Sequence, residues 1–370
     1  MSETRKVKLL DLTEFMKVLL ITVRSDFGGG PRHVDQLINN LPADVELYLA
    51  YPKGGDPYGN LWDDNKQIKG VLHIPYRKFS VVSLMQLMKF VNAHKIEIVH
   101  SHGNGAGIYS RMLKFLGCHI KVIHTFHGIS DYYKSKIKGY LMKLCNKILC
   151  RYTDAFVLVS FGERDLGKEM GYFDENKAHV IYNGIRKPEI NCLNKRQGFN
   201  IVTLSRFDFQ KNMDFCYDIA SAFKQNKDIK FVWVGDGDDR QRLEEKAKEE
   251  CVNIEFTGFS TKPLEILASC SIYLSTSRFE GLPYALIEAA SLGLPIVATD
   301  VKGNNECVDD GINGRLFVTK EQAVEFIRSL ASDDQIRESM SCASQKIYNE
   351  RFSEDVMIKN LYHLYTTQKV

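Results

Sequence analysis

The chain has 370 residues, 44% hydrophobic and 26% charged, with a net charge of only +3. This length exceeds one ordinary core and the composition is that of a globular protein, which excludes fibrous and disordered classes. A near-balanced charge gives no whole-molecule field for nucleic acid, and no apolar run reaches membrane-spanning length. The nine cysteines lack metal-ligand or paired spacing, so free thiols in a reducing, cytoplasmic setting are expected.

Residues 1–15 are charged and aperiodic, without a signal-peptide core, and read as a disordered extension. Short β-branched runs then alternate with longer amphipathic stretches, the pattern of parallel α/β units. The expected strands of a first series are Val18–Val23, Glu46–Ala50, Val71–Ile74, Ile98–His100, Lys121–His124 and Ala155–Val159. A second series comprises Ile201–Leu204, Phe231–Val234, Ile254–Phe256, Ile272–Ser275 and Ile296–Ala298. The polar stretch from Pro188 to Gly198 separates them as a linker, and Ser353 is placed to cap a final helix.

Asp26-Phe27-Gly28-Gly29-Gly30-Pro31 follows the first strand, with a helix expected over Val34–Leu41. Glycines there let backbone amides approach a ligand, and Pro31 suits a helix start. Arg32 and His33 occupy positions where a dinucleotide fingerprint needs glycine, which argues against nicotinamide binding. His102 and His127 each end a strand, where a doubly wound sheet lines its crevice; His100 and His124 read as ordinary strand residues. From Tyr132 to Thr153 six basic residues and no acid accompany Ile137, Leu141, Leu144 and Ile148 at helical spacing. That stretch is either a surface helix packed on its own sheet or a peripheral contact with an anionic membrane. Asn183-Gly184 is expected to form a turn with positive φ.

In the second series, Arg206 and Lys211 follow a strand and suit a diphosphate, bidentately and as a point charge respectively. Gly235-Asp236-Gly237-Asp238 reads as a glycine turn, with an Asp-x-Asp metal site the alternative, and Thr257-Gly258-Phe259 closes the next strand. Glu280 and Glu288 flank Gly281, Leu282 and Pro283, with Pro283 expected as the first helical residue. Free amides at such a helix start favour phosphate. The two carboxylates, about 9 Å apart along the helix, match the reach of a diphosphate joining two sugars.

Ser277-Arg278-Phe279-Glu280-Gly281-Leu282-Pro283, Ile287-Glu288-Ala289 and Gly293-Leu294-Pro295 together resemble the signature of family-four retaining glycosyltransferases. The resemblance implies the GT-B fold: two Rossmann-like α/β domains facing across a cleft. Residues 16–187 with the last helix, 353–370, would hold an acceptor, and 188–350 a nucleotide-sugar. It implies transfer of a hexosyl or N-acetylhexosaminyl unit, from a UDP-sugar or from GDP-mannose, to a glycan or lipid-linked hydroxyl, in O-antigen or capsule synthesis. No metal and no cofactor beyond the co-substrate are implied. His127, Arg206, Lys211 and Glu280 take catalytic roles. Gly29, Gly30, Gly235, Gly258, Phe259, Gly281, Leu282, Pro283 and Glu288 bind the donor, and His102 lies on the acceptor side. In the family a glycine follows the lysine where this chain has Asn212. A nucleotide-sugar epimerase, an oxidoreductase and a non-catalytic sugar-binding protein are the alternatives.

Overall fold

The computed structural model describes residues 15–54, 57–129, 136–190 and 195–367. The extension over residues 1–14 and the basic positions before 136 lie outside the described residues. One compact unit runs to Thr125 and takes in Ile148–Ala155 and the chain end from Tyr365; the second holds Phe126–Lys147 and Phe156–Leu364.

Seven parallel strands form one sheet: β1 (Met16–Thr22), β2 (Val45–Tyr51), β3 (Ile68–His73), β4 (Ile98–His102), β5 (Lys121–Thr125), β6 (Ala155–Leu158) and β7 (Ala178–Val180), ordered β3-β2-β1-β4-β5-β6-β7. Six more form the other: β8 (Phe199–Leu204), β9 (Ile229–Val234), β10 (Ile254–Gly258), β11 (Ile272–Ser275), β12 (Ile296–Thr299) and β13 (Gly314–Phe317), ordered β10-β9-β8-β11-β12-β13. Each order reverses once, between β1 and β4 and between β8 and β11. In open α/β sheets, ligands bind outside the strand C-termini at that reversal. The GT-B expectation of two parallel α/β sheets is met.

The strands fold this way because they are apolar on both faces, as a parallel sheet covered by helices requires. Val18 to Ile21 are fully buried, as are Ile201, Val202 and Val232. Burial at roughly 25 cal/mol per Å² of apolar surface makes these runs the main source of stability. The strands β7 and β13 were not expected; both are sheet edges, one half-exposed and one starting on Gly314.

The last helix, Glu354–Thr367, follows Ser353, whose hydroxyl accepts from the Val356 amide at 3.4 Å. Its end anchors within the first unit. The Tyr365 hydroxyl lies 2.7 Å from His100 Nδ1, and Lys121 Nζ donates to the Tyr365 carbonyl at 3.2 Å. The other His100 nitrogen is 2.8 Å from Thr125 Oγ1, and burial holds the imidazole well below its ordinary pKa. Removing one partner leaves a buried polar atom unpaired, which costs about 1–3 kcal/mol. Tyr365→Phe should therefore lower the unfolding free energy by about 1–3 kcal/mol, read from urea titration with an unchanged m-value.

Candidate functional site

The loops after β8 and β11 meet at the reversal of the second sheet. Between them stands a carboxylate only 7% exposed, Glu280, facing a lysine 18% exposed, Lys211. Lys211 Nζ donates to Glu280 Oε1 at 2.5 Å, Ser277 Oγ to the same oxygen at 2.7 Å, and Gln210 Nε2 to Oε2 at 3.3 Å. Three donors hold this carboxylate in one orientation, its remaining acceptor capacity fixed in direction.

Backbone bonds sew the two loops together. The Arg278 amide donates to the Gln210 carbonyl at 2.8 Å and its guanidinium to Phe209 O at 2.6 Å; Thr276 Oγ1 donates to Lys211 O at 3.1 Å. Asn212 takes the left-handed conformation at φ 54° and starts the helix Met213–Ser221. Asparagine tolerates that region, so the loop keeps its shape without glycine.

Arg206 is exposed and paired with Asp208 at 3.1 Å, at the rim of the same loop. Gly235 and Gly237 have positive φ, and backbone of the loop after β8 also passes close to them. A Cβ on Gly235 would sit 1.9 Å from Ser205 O, and one on Gly237 would sit 2.5 Å from Phe207 O. Asp236 accepts from the Gly237 amide at 2.8 Å and faces Arg240 at 3.5 Å. Among the described residues, no group of three or more His, Cys, Asp or Glu side chains could hold a metal. Gly258, at φ 74°, precedes Phe259, which is exposed at the β10 end.

The helix Tyr284–Ser291 begins one residue later than expected. Pro283 is its cap, with extended ψ of 119°, rather than its first helical residue. Among the described residues no protein acceptor takes the amide protons of Gly281 or Leu282, which lead into this helix. Glu288 is buried in its second turn. Burial pushes the Tyr273 phenol up, and the charges of Glu288 and Glu280 push it further, so both carboxylates bear on one buried ring.

These features fix what the pocket can do. A cation, two amides without a protein acceptor among the described residues and one carboxylate held by three donors at a strand-end reversal, with Glu288 buried nearby, suit a diphosphate beside a hydroxylated group. Residues 27–187 match the model described as Glycosyltransferase Family 4, and residues 198–333 that of Glycosyl transferases group 1. The chain belongs to the family 4 glycosyltransferases. It is 27% identical over 305 residues to an Escherichia coli UDP-Gal:alpha-D-GlcNAc-diphosphoundecaprenol alpha-1,3-galactosyltransferase, covering 76% of this chain and 78% of that one. It is 25% identical over 341 residues to the O-antigen biosynthesis glycosyltransferase WbnH of Escherichia coli, covering 90% and 96%. The crystal structure of Anabaena HepE in complex with UDP and glucose superposes with a TM-score of 0.79 at 17% identity, covering 95% of this chain and 100% of that one.

In this glycosyltransferase the remaining candidates fall in two places. Gly29 and Gly30 form the first turn of the helix Gly29–Asn40, which starts before Pro31. Arg24 clamps the loop ahead of them, donating to Asp26 at 2.8 Å and to the Phe27 carbonyl at 2.7 Å. His102 ends β4, its ring 5.4 Å from His33 and 4.2 Å from His100. These residues all belong to the first unit. His127, at φ 60°, belongs to the second unit with Glu280 and Lys211. A Cβ on Gly281 would stand 3.7 Å from the Cα of its neighbour Gly128.

One expectation is corrected, and one of two alternatives is set aside. Gly184 has no positive φ; it is needed because a Cβ would come within 2.5 Å of Ser353 O. On the helix Lys136–Leu149, Leu141, Leu144 and Ile148 are exposed, so this apolar row does not pack on the protein's own sheet. Asn146 and Leu149 turn inward instead.

Sequence reasoning missed Glu163, Glu306 and Gly303. Glu163 is the third residue of the helix Phe161–Glu169, capped by Ser160, and the Ser-x-x-Glu spacing was its available signal. Its Oε1 accepts from Gly128 at 2.6 Å and Ile129 at 2.9 Å, and Oε2 from Val159 at 2.8 Å. This carboxyl stands at about 7: burial pushes it up, the three amides pull it part of the way back, and Glu306 adds a smaller push upward. The folded pKa thus stands above the unfolded 4.5, so the stabilising contribution is present below that value and disappears as pH rises towards 7. Wild type should lose about 3 kcal/mol relative to Glu163→Gln between pH 4.5 and 8, checked by urea titrations at both pH values.

Proposed function

We propose that this glycosyltransferase is a retaining enzyme that moves a hexosyl or N-acetylhexosaminyl unit from a UDP-sugar to a hydroxyl of a lipid-linked glycan. The pathway is O-antigen or capsular polysaccharide synthesis. The observation that carries the reading is the Lys211–Glu280 pair beside the open Gly281 and Leu282 amides at the sheet reversal. The donor class is supported by relatives. The Escherichia coli enzyme is named for UDP-Gal and a diphosphoundecaprenol-linked acceptor, and HepE was crystallised with UDP and glucose.

As the glycosidic bond breaks, its electron pair passes to the departing diphosphate oxygen. The acceptor oxygen bonds the anomeric carbon, and the acceptor proton passes to the departing diphosphate. Arg206, Lys211 and the Gly281 and Leu282 amides stabilise the developing charge, and fixed donors of this kind usually contribute most of the rate enhancement. With two cations and two amides there, a divalent metal is not required. Glu280 accepts from hydroxyls of the transferred sugar, Glu288 from the ribose, and His127 contacts the sugar from the opposite loop. An ion-paired Glu280 suits fixed hydrogen bonding rather than shuttling a proton.

Lys211→Ala and Glu280→Ala should each cut UDP release from UDP-galactose or UDP-glucose, in the presence of a diphospholipid-linked acceptor, by roughly 100-fold or more. The variants should keep a cooperative melt, and wild type should keep its rate in excess EDTA. Full turnover in both variants, or rate loss in EDTA restored by manganese, would contradict the reading.

The same enzyme acts as a peripheral protein at an anionic membrane face. The exposed Tyr140, Leu141, Leu144 and Ile148, with Lys143 and Lys147 between them, favour that contact. Wild type is expected to sediment with phosphatidylglycerol vesicles at low salt, and a Leu141→Ser, Leu144→Ser, Ile148→Ser variant to remain in the supernatant.

A further inference from the structure

Two buried or amide-bound carboxylates outside the pocket form, with two glycines, a closed circuit around the Glu280–Gly281 loop. The circuit starts at Gly303, whose φ of 87° lets it press on that loop. A Cβ there would lie 2.6 Å from Gly281 O and 3.0 Å from Glu280 Cβ. Gly303 caps the short helix Asn304–Cys307. Asn304 holds this segment to β12 by donating to Thr299 O at 3.1 Å, and Thr299 Oγ1 donates to Ser277 O at 2.7 Å.

Glu306, on the same short helix, carries the circuit onward. Its two oxygens accept from the Phe161 and Gly162 amides, both at 2.7 Å, across the first turn of Phe161–Glu169. That helix carries Glu163, whose amide is capped by Ser160 Oγ at 3.0 Å and whose carboxylate grips Gly128, Ile129 and Val159. Gly128 then lies beside Gly281, close enough that a Cβ built on Gly281 would stand 3.7 Å from its Cα, and this brings the circuit back to the loop. Every residue in the circuit lies in the second compact unit.

We propose that Glu306 and Glu163 are positioning residues for sugar transfer, fixing the His127–Gly128 turn against the Glu280–Gly281 loop. This rests on the function proposed above. His127 sits in the left-handed region, which few non-glycine residues adopt, so the turn needs a constraint to hold it. The Glu163 carboxylate supplies that constraint through the next two amides, and Glu306 sets where Glu163 stands. A glutamine at either place has one acceptor oxygen and one N–H group where two or more amides already donate, so it cannot satisfy the same set.

The test is at pH 8 with the full chain. In hydrogen exchange, the Gly128 and Ile129 amides should lose protection in Glu163→Gln, and also in Glu306→Gln, although Glu306 touches neither. With UDP-galactose as donor, each variant should lose about 100-fold in kcat while its Kd for UDP stays within about threefold, since misplacement of about 1 Å costs that much in rate. The double variant should be no slower than the worse single one, because both act on one linkage. Unchanged Gly128 and Ile129 protection in Glu306→Gln overturns the circuit whatever the activity. So does a kcat within twofold of wild type in well-folded protein, or a loss confined to Tm. If wild type turns over no UDP-sugar, the proposed function fails on its own, and the exchange measurement still decides the circuit.

Discussion

The arrangement of the candidate site depends on one ion pair largely withdrawn from water. Removing Glu280 and Lys211 from water is costly, and their attraction offsets that cost only with good geometry and further hydrogen bonds. Ser277 and Gln210 supply those bonds, and Arg278 and Thr276 bind one loop's backbone to the other. The pair therefore joins the β8 and β11 loops across the reversal of the sheet, so one electrostatic contact sets both the loop geometry and the pocket's charge pattern. A hydrophobic pair of similar size could hold the loops equally well. It would present no acceptor to a sugar hydroxyl and no cation to a phosphate.

Glycine serves this region by letting backbone meet backbone. Ser205 O, Phe207 O and Gly281 O stand where the side chains of residues 235, 237 and 303 would be. These contacts bring the ends of β8, β9, β11 and β12 into a layer that side chains would hold apart. In each case φ is also positive, so two independent constraints demand glycine. Gly184 is the contrasting case: its φ is ordinary and the approach of Ser353 alone excludes a side chain.

Much of this was legible in the chain. Buried parallel strands appear as short unbroken apolar runs, so eleven of the thirteen strands could be placed within a few residues. The two missed strands are edges: Ala178–Val180 is three residues long, and Gly314–Phe317 has no β-branched residue. Glu280, Glu288 and Lys211 could be named because their spacing matches a family signature. Glu306 could not, since its partners are backbone amides more than 140 residues away in the chain, and nothing in Asn-Asn-Glu-Cys distinguishes it from a solvated acid. The apolar row on Lys136–Leu149 left two readings open for a different reason: periodicity shows that a helix has an apolar side, not whether the protein covers it.

The two sheets share one strand order, yet their reversals carry opposite chemistry. At the end of β4, beside β1, stand imidazoles: His102 near His33 and His100, all buried, with burial and the His33 charge keeping His100 from protonating. At the ends of β8 and β11 stand Arg206, Lys211 and Glu280, charged and oriented. A sheet reversal supplies a place and open amides but no selectivity. The residues that follow each strand supply that selectivity. A diphosphate leaving group needs fixed cations, and those stand at the second reversal. The proposed placement of the donor in the second half therefore rests on charge, independently of the order in which the halves occur along the chain.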